Sequence, residues 1–495
     1  MAEQETKLTA PTGFQMPELA GPDDGFLADP QPARRYTTVY WDTPDLRLAR
    51  WDATLRHRDG QGWTVKLPGD RAGVLLVRDE HTFAGGPKRV PDEALALLRA
   101  YVRGARLAPV ARSRAERRPT VLRDAAGNQL AEVVDDEVQV IEGRRVADRY
   151  RELEVELGEA AQPDTLDKLL ARLREAGATE TPAQASKYRQ ALGGRELAPA
   201  ELTVADLDRD ASVEELLRGD LAASTLRLFR HLPAVWLDED PEAVHQARVA
   251  VRRLRSTLRT ARSVLDRDWT KRLRDELKWF ADLLGAVRDA DVLRARLQGR
   301  VDALPEDDQA GARRLFAHLA GQREEARAGL VEAMEAPRFA QLLDDVVAAA
   351  QAPAVTAEAA GPAGKVLPPL VRKEWKKLTK AIGKAGDDPE DRALHKIRIR
   401  AKRTRYAAEA ASPVIGKPAR RLAKAAEGIQ DVLGEQHDAV VAERWLREAA
   451  SRARREALLP AGELVAAERA AAGQARASWR QRAAKLSARK LTRWL

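Results

Sequence analysis

The chain has 495 residues, is 44% hydrophobic and 33% charged, and carries 85 Lys and Arg for a formal net charge of +9. That length exceeds one ordinary hydrophobic core, so two or three domains are expected, and the apolar content excludes a wholly disordered chain. The absence of cysteine excludes disulfides, thiolate catalysis and Cys-ligated zinc, and fits a reducing compartment.

The opening MAEQETKL is charged from its third residue and lacks the apolar core of a signal peptide. No run of about 18 apolar residues suggests a membrane span. The expectation is a soluble cytoplasmic protein that does not enter a membrane. Residues 1 to about 195 then alternate in short segments: RRYTTVYWDT, ATLRHRDG, GWTVKLPG, AGVLLVRDEHTF, QLAEVVDDEVQVI and RYRELEVELG. Gly, Pro and Asp punctuate them, the pattern of an antiparallel β domain. Helical stretches interrupt it near 91–104 and 163–176.

The charges of this half sit at alternating positions. Glu3, Glu5 and Lys7 share one face if their segment is a strand, as do Glu152, Glu154 and Glu156. Arg56 and Arg58 repeat the pattern, Lys66 lies one strand later, Arg78 pairs with Glu80, and Arg112, Arg114, Arg117 and Arg118 form a basic cluster. One such strand suits a sheet with a wet charged face. Several together suit a barrel whose lumen holds ions and an anionic ligand. Carboxylates there would take hard cations such as Mg²⁺ or Mn²⁺, and Lys and Arg would take phosphate oxygens. The register through RSRAERRP is ambiguous because Pro119 interrupts the strand pattern.

The EQETK opening is an ExExK motif. With RHR, WTVKLPG, ELEVEL and ASKYRQAL in this order, residues 1–197 resemble the CYTH family, the triphosphate tunnel metalloenzymes. The resemblance implies Glu3, Glu5, Glu154 and Glu156 as carboxylates for Mg²⁺ or Mn²⁺. It implies Lys7, Arg56, Arg58, Lys66, Arg78, Arg114, Arg117 and Lys187 as triphosphate contacts, with Lys7 also catalytic. Asp135 is the candidate for orienting or activating water, with Asp136 as its replacement.

Residues 198–211 read as a linker. From 212 to 492 the apolar period turns helical, in Ala, Leu, Arg and Glu-rich segments. Residues 351–369, rich in Ala, Pro and Gly, read as a second linker. An internal repeat spans this half: HQARVAVRRLR from His245 matches HKIRIRAKRTR from His395 at an offset of 150 residues, and DLLGAVRD from Asp282 matches DVLGEQHD from Asp431 at 149. Two copies of one helical unit about a pseudo-twofold are expected.

At 100° per residue His245, Arg248, Arg252, Arg255 and Arg259 fall within roughly 80° of the helix circumference, opposite Ala247, Val251, Leu254 and Leu258. His395, Arg398, Lys402 and Arg405 repeat the stripe ahead of Ile397, Ala401 and Ala408. Stacked cations repel by a few tenths of a kcal/mol per pair, and a polyanion relieves that cost. Asp282, Asp289, Asp431 and Asp438 are placed to orient the arginines. No aromatic residue interleaves the stripe, so a base-stacking platform is not visible and nucleic acid is disfavoured.

These segments resemble the CHAD family, the conserved-histidine α-helical domain. The resemblance implies two helical bundles with a basic groove for polyphosphate, lined by His245, Arg248, Arg252, Arg255, Arg288, His395, Arg398, Lys402, Arg405 and His437. The fold class expected is therefore α+β: an antiparallel β-barrel with flanking helices, then an all-α domain of two related bundles. The function expected is metal-dependent hydrolysis of inorganic triphosphate or short polyphosphate, with polyphosphate held by the helices, in the cytoplasm or at polyphosphate granules. The alternatives are a polyphosphate-binding adaptor without turnover and a triphosphatase for thiamine triphosphate or nucleotides. No GxxxxGK(S/T), HExxH or GxSxG occurs, so a P-loop ATPase, a zincin and a serine hydrolase have no support. The C-terminal WRQRAAKLSARKLTRWL reads as a basic amphipathic helix that caps the last bundle.

Overall fold

The structure is a computed structural model describing residues 2–11, 13–20, 26–72, 75–180, 186–208 and 210–495, without the side chains of 2–5, 70–72, 75–78, 317, 487, 489 and 490. It forms two compact units, Met1–Glu201 and Leu202–Leu495. Residues 198–201, expected in a linker, belong with the first unit. Arg50 Nε donates to the Pro199 carbonyl at 3.0 Å, and Arg103 donates to Glu201 at 2.7 Å.

The first unit is one antiparallel sheet of β1 (Ala2–Ala10), β2 (Leu27–Pro30), β3 (Arg34–Asp42), β4 (Thr54–Arg58), β5 (Gly62–Lys66), β6 (Asp70–Ala72), β7 (Leu75–Phe83), β8 (Ala108–Arg123), β9 (Gln129–Glu142), β10 (Arg145–Leu157) and β11 (Thr179–Glu180). The order is β11-β1-β10-β9-β8-β3-β4-β5-β7-β6, with β2 on β8. β11 and β6 lie at the two ends of this order, outside β1 and β7. A short ladder, in which Glu3 faces Arg78 and Glu5 faces Leu76, joins β1 to β7. The curled sheet thus has two distinct faces. Leu8, Val133, Leu153 and Val155 on the outer face pack with Leu169 and Leu173. The latter lie on α3 (Thr165–Glu175); the other helices of this unit are α1 (Arg47–Arg50), α2 (Asp92–Val102) and α4 (Lys187–Ala191).

Pro119 lies inside β8 without breaking it. Its carbonyl accepts from Gln31 N at 2.8 Å, so the edge where its N–H is missing is the one facing β2 and β3. There β8 exchanges partners, from β3 at Arg117 to β2 at Thr120. A proline at that seam forfeits no ladder bond.

The second unit contains α5 (Val213–Leu237), α6 (Pro241–Thr260), α7 (Arg267–Val301), α8 (Glu306–Glu335), α9 (Pro337–Gln351), α10 (Ala363–Gly383), α11 (Asp391–Ile415), α12 (Lys417–Ala450), α13 (Leu458–Ala484) and α14 (Arg489–Thr492). The starts of α5, α6 and α7 precede those of α10, α11 and α12 by 150 residues each, so the repeat is wider than its basic motifs. Reciprocal bonds mark the pseudo-twofold: Val213 N donates to the Gly361 carbonyl at 3.1 Å, and Ala363 N to the Ala211 carbonyl at 2.9 Å. Equivalent residues Val213 and Ala363, Leu217 and Leu367, Leu221 and Val371, and Leu228 and Leu378 are all buried.

The expected second linker is half wrong. Residues 352–362 connect helices, but α10 begins at Ala363 and includes Pro368 and Pro369. Buried Leu367, Pro368 and Val371 show that packing outweighs the local penalty of proline. The C-terminal segment breaks into the end of α13, a short 3-10 turn and α14. Trp479, Leu486 and Leu491 are buried there, and α14 packs on α12, as a cap would.

Candidate functional site

Strand register gathers one set of charged residues of the first unit on one face. Lys7 faces Glu154 and Glu5 faces Glu156 across β1 and β10. Glu152 faces Asp136, and Glu156 faces Glu132, across β10 and β9. Arg117 faces Asp136 across β8 and β9. On the far wall Arg56 faces Tyr40, Arg58 faces Thr38, and Lys66 faces Glu80. Period-two alternation therefore gathers residues distant in sequence onto a common inner surface.

Lys187 joins this face from α4. Ser186 caps the helix by accepting from Arg189 N at 3.2 Å. Tyr188 stacks on Tyr40 with centroids 5.1 Å apart and donates to the buried Asp42 carboxylate at 2.5 Å. Asp42 also accepts from Leu48 N and Ala49 N at 2.9 and 3.0 Å. This anchor aims Lys187 at Asp136, to which it donates, and at Glu154, 2.9 Å away.

One wall is a dense ion lattice. Lys7 donates to Glu154 at 2.6 Å and reaches Glu152 at 3.5 Å. Arg117 grips Asp136 through two nitrogens, at 3.0 and 2.7 Å, and reaches Glu154 at 2.6 Å. Burial pushes the Glu154 pKa upward, but Lys187, Lys7 and Arg117 outweigh it and hold the carboxyl well below its usual range. Asp136 is lowered in the same way: burial opposes, and Lys187 and Arg117 prevail. Glu152 is raised, because burial exceeds the pull of Lys7 and Lys187.

The opposite wall is richer in cations. Lys66 contacts Glu80 at 2.7 Å and Arg56 is 3.6 Å from it. Arg58 lies 4.0 Å over the Tyr36 ring and donates to Gln61 at 3.0 Å. Burial, then the neighbouring Arg56, push Arg58 down to about 10. Such crowding is relieved by a multiply charged anion.

Two expected contacts lie elsewhere. Asp135 has the opposite parity to Asp136 and faces out, accepting from Arg151 at 2.7 and 2.6 Å; Asp136 occupies the inner position. Arg114 is likewise one residue out of phase with Ser113 and Ala115 and is exposed. Glu3, Glu5 and Arg78 have their strand positions described, but their side chains lie outside the described residues. Glu152 and Glu132 belong to the inner face and were missing from the expected set; their signal was alternation with Glu154 and with Asp136.

Among the described residues no three His, Asp or Glu side chains converge to hold a metal ion. Glu154 is committed to three cations. The register does align Glu5, Glu156 and Glu132 across three strands. Like charges directly opposed destabilise a sheet, and a row of oxygen donors fits a hard divalent cation.

In the second unit α6 and α11 pack together and bring the two basic stripes face to face. Arg248 donates to Asp289 at 2.7 Å. The electrostatic partners of Arg398 include Asp438, Arg248 and Asp289. His395 and His437 lie 5.0 Å apart between centroids, and Arg288 acts on His245 in the related position. Burial lowers the pKa of all three histidines, that of His437 to about 4. Lys402 is pushed down to about 7, first by burial and then by Arg252, Arg398, Arg248 and Arg255. Arg405 departs from expectation: its guanidinium is held by Glu409 at 2.7 Å and Glu427 at 2.9 Å. Arg259, Arg262, Lys373 and Arg403 instead join Arg252, Arg255 and Lys402 around a cavity of about 350 Å³.

An antiparallel β unit with a charged inner face, followed by paired helical bundles with facing basic stripes, defines the class. The CYTH domain matches residues 1–184 and the CHAD domain residues 219–447. The chain belongs to the family of proteins that carry a CYTH domain ahead of a CHAD domain. It is 33% and 32% identical over 476 residues to uncharacterized proteins from two strains of Mycobacterium tuberculosis, covering 90% of this chain and 88% of each relative. Similar solved structures include PptA from Streptomyces chartreusis, 25% identical with a TM-score of 0.47 over 55% of this chain and 100% of that one. The CHAD domain crystal structure from the plant Ricinus communis is 30% identical, with a TM-score of 0.43 over 60% and 97%. Among the described residues no helix is long and apolar enough to cross a membrane.

Proposed function

We propose that the first unit hydrolyses inorganic triphosphate or short polyphosphate with Mg²⁺ or Mn²⁺, and that the second unit holds polyphosphate chains. The observation that carries this reading is the division of the inner face. Arg56, Arg58 and Lys66 form a cationic wall against Glu80, opposite carboxylates held by Lys7, Arg117 and Lys187.

In this reading Arg56, Arg58 and Lys66 bind phosphate oxygens and fix the chain in register. Guanidinium forks suit that geometry. Lys7 and Arg117 exchange part of their pairing with Glu154 for substrate oxygens. Asp136 keeps Arg117 and Lys187 aimed inward. Glu5, Glu156 and Glu132 would supply oxygen donors for a divalent cation, which would polarise the phosphoanhydride and offset developing charge. No covalent nucleophile is required. The facing stripes of α6 and α11 grip phosphates of a longer chain, with the helix-packed Ala247, Val251, Ile397 and Ala401 behind them.

The prior commitment of Glu154 to three cations also favours a second reading, phosphate-chain binding without turnover. Phosphate release from tripolyphosphate, assayed with Mg²⁺ and with Mn²⁺, separates the two. Metal-dependent release that collapses in Glu5→Gln supports hydrolysis. Absence of release, with tight polyphosphate binding retained, favours the binder.

A further inference from the structure

The pseudo-twofold of the helical unit is broken electrostatically around one pair of equivalent arginines. Arg253 and Arg403 are equivalents at an offset of 150, but the two carboxylates that pair with Arg253 have no counterpart at the equivalent positions around Arg403. Around Arg253 stand Asp220 and Glu409; the equivalent positions around Arg403 hold Leu370 and Arg259. Arg405 meets Glu427, whereas the residue matching Glu427 at the offset of 149 is Lys278, which pairs with Asp282 at 2.6 Å.

On the first side Arg253 and Arg405 are both paired with carboxylates. Arg253 donates to Asp220 at 3.1 Å and to Glu409 at 2.8 Å, and Arg405 to Glu409 and Glu427 at 2.7 and 2.9 Å. Thr257 closes the set by donating to Asp220. On the second side the cavity is walled by Arg252, Arg255, Arg259 and Arg403. Among the described residues these have no ion-pair partner within 4.0 Å; the one carboxylate lining the cavity, Glu374, accepts from Lys377, lies 3.9 Å from Arg400, and acts on Arg259 and Arg403 at longer range. The Nε atoms of Arg252, Arg255 and Arg403 are buried without a hydrogen-bond partner, as is the hydroxyl of Tyr406, a residue 8% exposed that lines the same cavity. A second cavity of about 270 Å³ continues past Arg262, Arg274 and Lys377.

Buried donors lacking acceptors cost free energy until an acceptor arrives. Four arginines face the single carboxylate of Glu374, an excess of positive charge that an anion would offset, and Arg259 is depressed to about 10 by burial, then by Arg403, Arg274 and Arg255, against the pull of Glu374. We infer that the groove is one-sided: a phosphate chain leaves it through the cavity between α6, α10 and α11, seating phosphoryl groups on Arg259 and Arg403. The related exit is sealed by the Asp220–Arg253–Glu409–Arg405–Glu427 chain of ion pairs. This inference rests on the polyphosphate reading of the groove.

The test measures affinity of the full chain for polyphosphate of fixed length, at several salt concentrations, for Arg259→Gln, Arg403→Gln and Asp220→Asn with Glu409→Gln. Charge-assisted bonds lost to neutral glutamine should weaken binding by about tenfold or more for each arginine and reduce its salt dependence. The Asp220→Asn, Glu409→Gln double variant should retain wild-type affinity or exceed it, because only the sealed side is altered. Far-ultraviolet circular dichroism and thermal unfolding confirm that each variant is folded. Wild-type affinity in Arg259→Gln and Arg403→Gln, with binding still lost in Arg248→Gln, would overturn the one-sided groove alone. Loss of binding in the double variant, with its fold intact, would overturn it too. No polyphosphate binding by the wild type would instead overturn the function on which it rests.

Discussion

Raising the pH from 7 to 9 should weaken polyphosphate binding by the helical unit, and Lys402 sets the size of the effect. Its ammonium faces Arg248, Arg252 and Arg255 of α6 and Arg398 of its own helix, and its pKa falls from 10.5 to about 7. The free groove therefore loses the Lys402 proton as pH rises through 7. A bound polyanion favours the charged ammonium and draws the proton back, so binding above pH 7 takes up a proton. Proton uptake by one group weakens affinity by at most about tenfold per pH unit, or about fiftyfold between pH 7 and 9 if the bound lysine stays charged. The groove histidines have lowered pKa values, so they are already neutral in this window and add affinity only under more acidic conditions. Titration calorimetry at constant ionic strength, in two buffers of different ionisation enthalpy, reads the proton directly. Lys402→Arg keeps its charge throughout and should flatten the profile. A flat wild-type profile, or an unchanged slope in Lys402→Arg, would show that Lys402 does not take up the proton.

Other consequences can be measured separately. Glu154→Gln leaves Lys7, Lys187 and Arg117 facing one carboxylate fewer and should destabilise the first unit by about 3–5 kcal/mol in chemical denaturation. Glu152→Gln should cost much less, because burial already favours the protonated form of Glu152. Asp136 and Glu154 have depressed pKa values, so their stabilisation is present above their unfolded values and is lost as pH falls through the folded ones. Acid unfolding of wild type should therefore begin at higher pH than that of a Glu154→Gln chain compared at equal starting stability. Asp136→Asn should slow phosphate release on the order of tenfold to hundredfold by freeing Arg117 and Lys187, whereas Asp135→Asn should leave it near wild type. Polyphosphate at a hundredfold its Kd should stabilise the helical unit by about 2.7 kcal/mol in thermal unfolding, and high salt should remove the gain.

Most of the architecture was legible because its signals are local. Alternation in RELEVEL placed Glu152, Glu154 and Glu156 together, and the ASKYRQAL segment delivered Lys187 through a Ser186 cap. The failures share a cause, since each needed a partner far away in sequence. Adjacent Asp135 and Asp136 cannot be told apart until β9 is registered against β10, where Asp136 meets Glu152 and Asp135 meets Leu153. Arg114 fell to the same parity problem, concealed by Pro119 at a seam between two neighbouring strands. Arg405 lies on the right stripe of its helix, yet Glu427 from α12 neutralises it. Pro368 and Pro369 suggested a linker, and buried neighbours made them helical instead.

The proposed function divides labour between two anion sites, and one crossed experiment tests it. Phosphate release from tripolyphosphate and binding of long-chain polyphosphate would be measured on the full chain for Lys7→Ala and for Arg248→Ala with Arg398→Ala. Lys7→Ala should abolish release and keep long-chain binding, while the double variant should lose binding and keep release. Loss of tripolyphosphate release in a folded groove variant, or full release in Lys7→Ala, would contradict that division.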